Sequence, residues 1–158
     1  MKYSNSYRLE RDLGWSGVAV DALEQFAKPF VGDSDHGEAT LHVDPEQALI
    51  SSGDEGFTAT FTSKAVPIQV RRRTLDSILR EAGIQKVDFV SLDIELGEPA
   101  APRAFNLAYY KPELLCIEAH AKSRQAILDI MARAGYVVVG RYLRVDEPNI
   151  YFMPLRPS

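Results

Sequence analysis

The sequence predicts an α/β fold in which helices join buried parallel strands. Two short apolar runs, residues 87–92 and 114–117, flank a segment of helical character at 99–107. Apolar runs of this length, connected through a helix, are typical of neighbouring parallel strands with a crossover between them. This stretch is therefore the expected centre of the sheet.

Acidic residues follow both of these apolar runs. Asp93 and Glu95 come directly after the first run, and Glu118 comes after the second, with His120 two residues further on. Ligands of parallel sheets bind beyond the carboxyl ends of the strands. We therefore expect these side chains to form the functional site.

The overall composition predicts one soluble globular domain. The chain has 158 residues, of which 46% are hydrophobic and 25% charged, enough to bury a substantial core. Its net charge of −4 disfavours nucleic acid as a partner, and the three arginines at 71–73 are interpreted as a solvated strand end. No apolar stretch approaches the roughly 20 residues that a membrane helix needs.

The N-terminus and the cysteine content predict a cytoplasmic protein. The opening MKYSNSYRLERDLGW lacks the apolar segment of a signal peptide. The single cysteine, Cys116, excludes an internal disulfide and fits a reducing compartment. Because Cys116 lies within an apolar run, we interpret it as a core residue and not as a nucleophile.

The N-terminal segment predicts a helix that Ser4 or Asn5 caps, followed by a short buried strand at 18–20. This strand ends in Asp21, for which two interpretations stay open at this point. A carboxylate there can accept hydrogen bonds from the hydroxyls of a ribose, as in nucleotide-binding folds. It can equally cap a following helix at 22–27.

The middle of the chain predicts more irregular structure. We expect a strand at 28–32, a turn at 33–37, an antiparallel or edge strand at 38–43, and a flexible polar loop or lid at 45–64 that becomes strand-like before Ala65. Asp33, Asp35 and His36 share the turn, but their spacing lacks the further ligands and the glycine placement of a calcium loop. A metal is not expected there.

The remaining elements follow from caps and periodicity. They are a strand at 66–70, a helix from Thr74 to Ala82, a helix at 122–134, and strands at 137–139 and 149–153 that form an antiparallel hairpin at the sheet edge. Gly83 and Gly135 suit the ends of the two helices.

Five segments carry a recognisable series of motifs: SNSYRLERDLGWSGVAVDAL, RRRTLDSIL, VDFVSLDIELGE, YYKPELLCIEAH and AGYVVVGRYL. They contain a Ser-Asn helix start, a Gly-Trp-x-Gly turn before a strand that ends in acid, a Thr-Leu-Asp-Ser helix start, an Asp-x-Glu motif and a strand that ends in Glu. In the order and spacing of these motifs the chain resembles the FkbM family of S-adenosylmethionine-dependent methyltransferases.

The resemblance implies a class I methyltransferase fold. This is a Rossmann-like, doubly wound and mostly parallel sheet with an antiparallel C-terminal strand. It also implies S-adenosylmethionine as cofactor and methyl transfer to a hydroxyl of a small molecule or glycan. The cofactor-binding residues that it implies are Asn5, Asp21, Asp33, Asp35 and Asp93.

The resemblance also implies that Asp93 and Glu95 lie beside the methionine end and the acceptor pocket, and that Glu118 and His120 lie at the rim of the same crevice. Glu95, Glu118 and His120 are the candidate catalytic residues. A carboxylate or a histidine within reach of an acceptor hydroxyl can remove its proton, and we favour Glu95 or His120 for this role. Asp93, Glu95 and Glu118 could ligate a divalent metal by ligand type, but their spacing does not require one, and no metal is expected.

Two departures from the family pattern affect these expectations. The family has Asp-x-Glu-Gly-Ala-Glu where this chain has DIELGE, so that Leu96 takes the place of a glycine and alters the pocket floor. The chain also starts at the helix that should follow the first strand and its glycine-rich cofactor loop. Three explanations stay open: the sheet is N-terminally truncated, its second and fourth strands pair differently, or another chain supplies the missing strand. An incomplete sheet favours self-association into a homo-oligomer. The alternative function is a non-catalytic methyltransferase-like domain or fragment.

Overall fold

The computed structural model describes residues 7–18, 30–46, 51–95 and 97–156. The helices are α1 (Tyr7–Leu13), α2 (Glu55–Ala59), α3 (Leu75–Glu81), α4 (Ala100–Arg103), α5 (Leu107–Tyr110) and α6 (Arg124–Arg133), with a 3₁₀ turn at Gly140–Tyr142. The strands are β1 (Phe30–Val31), β2 (Glu38–Val43), β3 (Ser51–Ser52), β4 (Val66–Arg73), β5 (Phe89–Leu92), β6 (Leu114–Glu118), β7 (Tyr136–Val138) and β8 (Asn149–Pro154). None of the described helices is long and apolar enough to cross a bilayer.

The strands form two mixed four-stranded sheets. The N-terminal sheet has the order β1-β4-β2-β3, with β1 parallel to β4 and β2 antiparallel to both of its neighbours. The C-terminal sheet has the order β5-β6-β8-β7. The α/β class is therefore confirmed. The doubly wound class I arrangement is not, because β2 pairs antiparallel with β4 and no strand pairing between described residues joins the two sheets.

The C-terminal sheet contains the predicted pair of parallel strands. Strand β5 pairs with β6 in the register Phe89↔Leu114 to Leu92↔Ile117, which confirms the crossover expected from the two apolar runs. Strand β8 lies antiparallel to β6, and β7 pairs with β8 at the sheet edge. The antiparallel final strand and its hairpin partner are therefore also confirmed.

The hydrophobic core lies on this second sheet. Its fully buried side chains come from β6, β8 and α6, and include Leu115, Ile117, Ile127, Met131 and Phe152. Burial of side chains of this size contributes about 1.5 to 3 kcal/mol each. Cys116 is buried as predicted, and burial raises the pKa of its thiol, which keeps the thiol protonated.

Capping residues set the ends of the longer helices as the sequence predicts. Thr74 precedes α3, and its hydroxyl oxygen accepts a hydrogen bond from the Ser77 amide at 3.1 Å. Gly83 and Gly135, which follow α3 and α6, have φ of +70° and +79°. Glycine adopts this left-handed conformation without the steric cost that a Cβ brings.

Two local predictions are wrong. The segment before Ala65 contains helix α2 instead of a strand-like stretch, because the Asp54 side chain accepts a hydrogen bond from the Phe57 amide and caps a helix. The predicted helix at 99–107 is divided into α4 and α5, because Asn106 caps a new helix by accepting from the Tyr109 amide. The predicted strand at 18–20 and helix at 22–27 lie largely outside the described residues.

Candidate active site

The carboxyl ends of β5 and β6 bring the predicted acidic residues together. The two strands are parallel and pair through to Leu92 and Ile117, so the loops that follow them leave the sheet at the same edge. Glu118 is the last residue of β6, and Glu95 lies three residues beyond β5. The arrangement expected from the sequence pattern is therefore present.

His120 joins the two carboxylates of this site. Its Nε2 lies 2.9 Å from Oε2 of Glu118, within hydrogen-bonding distance, and 3.7 Å from Oε2 of Glu95. The side chains are 29% exposed for His120, 15% for Glu118 and 28% for Glu95, so that solvent still reaches all three. We call Glu95, Glu118 and His120 the acid–histidine triad.

The triad also has the composition of a metal site. One ligand atom from each of its three side chains lies within 4.8 Å of the others. The possible metal ligands named from the sequence were Asp93, Glu95 and Glu118, so His120 takes the place of Asp93 in the set that the structure brings together. Asp93 is exposed at the end of β5, and it interacts with the triad through its charge.

Burial and mutual repulsion perturb the carboxylates of the triad. Removal from solvent, together with the negative charge of Asp93, raises the pKa of Glu118 from 4.5 to about 7. The same two causes raise the pKa of Glu95. Glu118 therefore exchanges its proton near neutral pH, the range in which a general base is effective.

Residues of β3 and α2 contact the triad. Ser52 Oγ donates a hydrogen bond of 2.5 Å to the carbonyl oxygen of Glu95, whose φ of +50° is unusual for a residue with a side chain. The ring of Phe57 lies 5.3 Å from that of His120, centroid to centroid. The segment predicted as a polar loop or lid therefore contacts the site through both residues.

A comparison with family models decides which family the chain represents. The model described as the methyltransferase FkbM domain matches residues 2–138, most of the chain. The chain belongs to this family. No curated protein and no solved structure matches the sequence.

The sequence DIELGE, residues 93–98 of this FkbM family member, ends in one further residue of interest, Glu98. Its side chain is fully buried, and its Oε1 accepts a hydrogen bond from the Ile94 amide at 3.0 Å. Its Oε2 has no hydrogen-bond partner among the residues that the structure describes. Sequence reasoning assigned Glu98 no role, although a third acid within six residues of Asp93 was a signal for it.

The shifted glycine of the same motif has a steric reason. A Cβ on Gly97 would lie 3.1 to 3.3 Å from three atoms of Ile94, including its carbonyl oxygen, so Ile94 would have to shift slightly to accept a larger residue. Leu96, the departure from the FkbM pattern, lies outside the described residues.

Of the other predicted cofactor residues, Asp33 and Asp35 have partners outside the triad, and Asn5 and Asp21 are not described. Asp35 accepts hydrogen bonds from the amide and the hydroxyl of Thr74, and hydrogen bonding from Ser77 and Thr74 lowers its pKa to about 2. Asp33 lies 3.8 Å from the Arg72 guanidinium and is exposed. Asn5 and Asp21 lie outside the described residues, so their roles stay predictions.

Proposed function

We propose that the protein transfers a methyl group from S-adenosylmethionine to a hydroxyl oxygen of a small molecule or glycan. The observation that carries this proposal is the 2.9 Å contact between His120 and Glu118, with Glu95 beside it, at the ends of two parallel strands of an FkbM-family chain. A pair of this kind is suited to remove the proton of an acceptor hydroxyl.

The described residues fit a positively charged cofactor. Asp93, Glu95, Glu98 and Glu118 influence one another through their charges, so acidic groups are concentrated at this edge of the sheet. When bound, S-adenosylmethionine supplies an electrophilic methyl group on a positively charged sulfur. Asp93, exposed at the end of β5, is the described residue best placed to hold it, and the family resemblance adds Asp21 and Asn5.

The triad supplies the proton acceptor in this proposal. His120 takes the proton of the acceptor hydroxyl on its imidazole, and the ionised Glu118 stabilises the imidazolium through the 2.9 Å contact. Glu95, at 3.7 Å, adds a second negative charge. The Phe57 ring lies against the imidazole and helps to keep solvent from that side of it. The excess of acids at the site and the net charge of −4 support a small neutral acceptor and not a nucleic acid.

Two measurements test the proposal. Calorimetric titration with S-adenosylhomocysteine is expected to show binding to the wild-type protein. Methyl transfer from labelled S-adenosylmethionine to a panel of polyhydroxylated acceptors is then expected to fall at least about 100-fold in His120→Gln. Cofactor binding should be retained in this variant, because His120 acts on the acceptor and not on the cofactor.

Glu113→Gln is the matched control. Glu113 is an exposed acid directly before β6, the strand whose last residue is Glu118. It should transfer methyl groups at the wild-type rate. No heat at millimolar S-adenosylhomocysteine, with the protein shown to be folded by circular dichroism, would refute the methyltransferase proposal for this chain.

A further inference from the structure

The acid–histidine triad is arranged as a set of converging ligands. His120 Nε2 lies 2.9 Å from a carboxylate oxygen of Glu118 and 3.7 Å from one of Glu95. Two atoms that bind one first-row metal ion, each at about 2.0 to 2.2 Å, are separated by about 3 to 4 Å. The two measured distances lie in or next to that range. One ligand atom from each of the three side chains lies within 4.8 Å of the other two.

Glu98 provides a second and independent observation at this place. It is not one of the three converging residues, its side chain has no exposed surface, and its Oε2 has no hydrogen-bond partner among the described residues. Its charge interacts with those of Asp93 and His120, and also with those of both carboxylates of the triad. Glu98 therefore lies near enough to influence the charges of the triad, although it is not one of the converging ligands.

A buried carboxylate oxygen without a partner is costly unless the group is protonated or a counter-charge compensates it. Burial raises the pKa of Glu98, which disfavours its charged form unless a cation lies nearby. Among the described residues, Glu95 and Glu118 form ion pairs with His120, and no lysine or arginine forms one with Glu95, Glu98 or Glu118. A bound cation would supply the counter-charge that the described residues do not provide.

We propose that Glu95, Glu118 and His120 bind a divalent first-row transition-metal ion, with Glu98 as a buried acid behind the ligands. One imidazole nitrogen and two carboxylate oxygens are a ligand set for Mn²⁺ or Zn²⁺, whereas Ca²⁺ takes oxygen ligands alone. Three protein ligands leave coordination positions open for water or for an oxygen of a bound molecule. All three side chains remain partly exposed, which gives the ion access.

This site goes beyond the proposed methyl transfer and competes with one of its steps. An ion on Nε2 of His120 leaves that nitrogen without a proton to share with Glu118, so ion binding and imidazolium formation exclude each other at this nitrogen. Metal binding is measurable without cofactor or acceptor. Failure of the metal site would therefore leave the proposed function intact, and loss of methyl transfer would not affect the metal measurement.

The test uses Mn²⁺ alone as the probe. Free Mn²⁺ gives a six-line electron paramagnetic resonance signal that disappears when the ion is bound to a protein, so its loss on titration reports affinity directly. The wild-type protein is expected to remove the signal with a stoichiometry of one. Glu118→Gln and His120→Gln should each weaken the affinity by at least about tenfold, and Glu98→Gln by up to about tenfold, because it acts from behind the ligands.

Glu113→Gln separates a built site from general attraction to an acidic protein. It removes the same charge at the other end of β6 and is expected to bind Mn²⁺ as the wild type does. Circular dichroism melts confirm that each variant is folded. The proposal is overturned if wild-type protein leaves the signal unchanged at millimolar Mn²⁺, if Glu118→Gln and His120→Gln bind as tightly as wild type, or if Glu113→Gln weakens binding equally.

Discussion

Replacing Glu118 with glutamine should make the stability of the protein less sensitive to pH between about 4.5 and 7. The folded-state pKa of Glu118 is raised from 4.5 to about 7, so between these values the folded state keeps a proton that the unfolded state has lost. Stability therefore falls as the pH rises from about 4.5 through about 7 and is then constant. Glutamine cannot titrate and removes this contribution.

The magnitude follows from the same pKa values. Each pKa unit corresponds to about 1.4 kcal/mol, so the full contribution is about 3 kcal/mol, of which about 2.5 kcal/mol falls between pH 5 and pH 8.5. The Glu118 side chain is only 15% exposed, so solvent screening reduces this value little. Asp35, with a pKa lowered to about 2, titrates below this window in both proteins.

Urea unfolding followed by circular dichroism at about pH 5 and about pH 8.5 measures the effect. The free energy of unfolding of Glu118→Gln, relative to wild type, should increase by about 2 to 3 kcal/mol between the two pH values. Glu113→Gln should follow the wild-type profile. Parallel pH profiles for wild type and Glu118→Gln would show that Glu118 titrates normally and that the site does not perturb it.

Three further substitutions test the local structure, each through the free energy of unfolding in urea. Thr74→Ala removes the cap of α3 and should destabilise the protein by about 1 to 2 kcal/mol, whereas Thr74→Ser, which keeps the hydroxyl, should cost less than half as much. Ser52→Ala removes the donor to the Glu95 carbonyl and should cost about 1 to 3 kcal/mol; no change would show that this bond is not formed in solution. Gly135→Ala places a Cβ at φ +79° and should cost about 1 kcal/mol, and an increase in stability would contradict the left-handed conformation.

The second half of the fold was predictable because its signals are local. The apolar runs that became β5 and β6 are short, bounded by acids, and separated by a helical segment, and the structure pairs them in parallel. Thr74 and Gly135 mark helix ends through conformations that depend on a single residue. The same locality made the acid–histidine triad predictable, since parallel neighbours bring their carboxyl ends to one edge.

The first half was less predictable because long-range pairing and competing caps decide it. Strand β2 pairs with β4, about thirty residues further along the chain, and nothing within β2 itself specifies an antiparallel partner over a parallel one. The alternating threonines around Phe57 favoured a strand, but the cap supplied by Asp54 produced a helix. The buried position of Glu98 also depends on the tertiary fold, because a third acid in a motif is normally expected at the surface.

The contacts of Ser52 and Phe57 also define a route for redesign. Both residues lie in a stretch of six, and through them one chain segment reaches the loops that follow two different strands of the other sheet. A substitution library confined to 51–61 would therefore change the surroundings of the triad without replacing any of its ionisable groups. Altered acceptor preference could be selected there without rebuilding the chemistry.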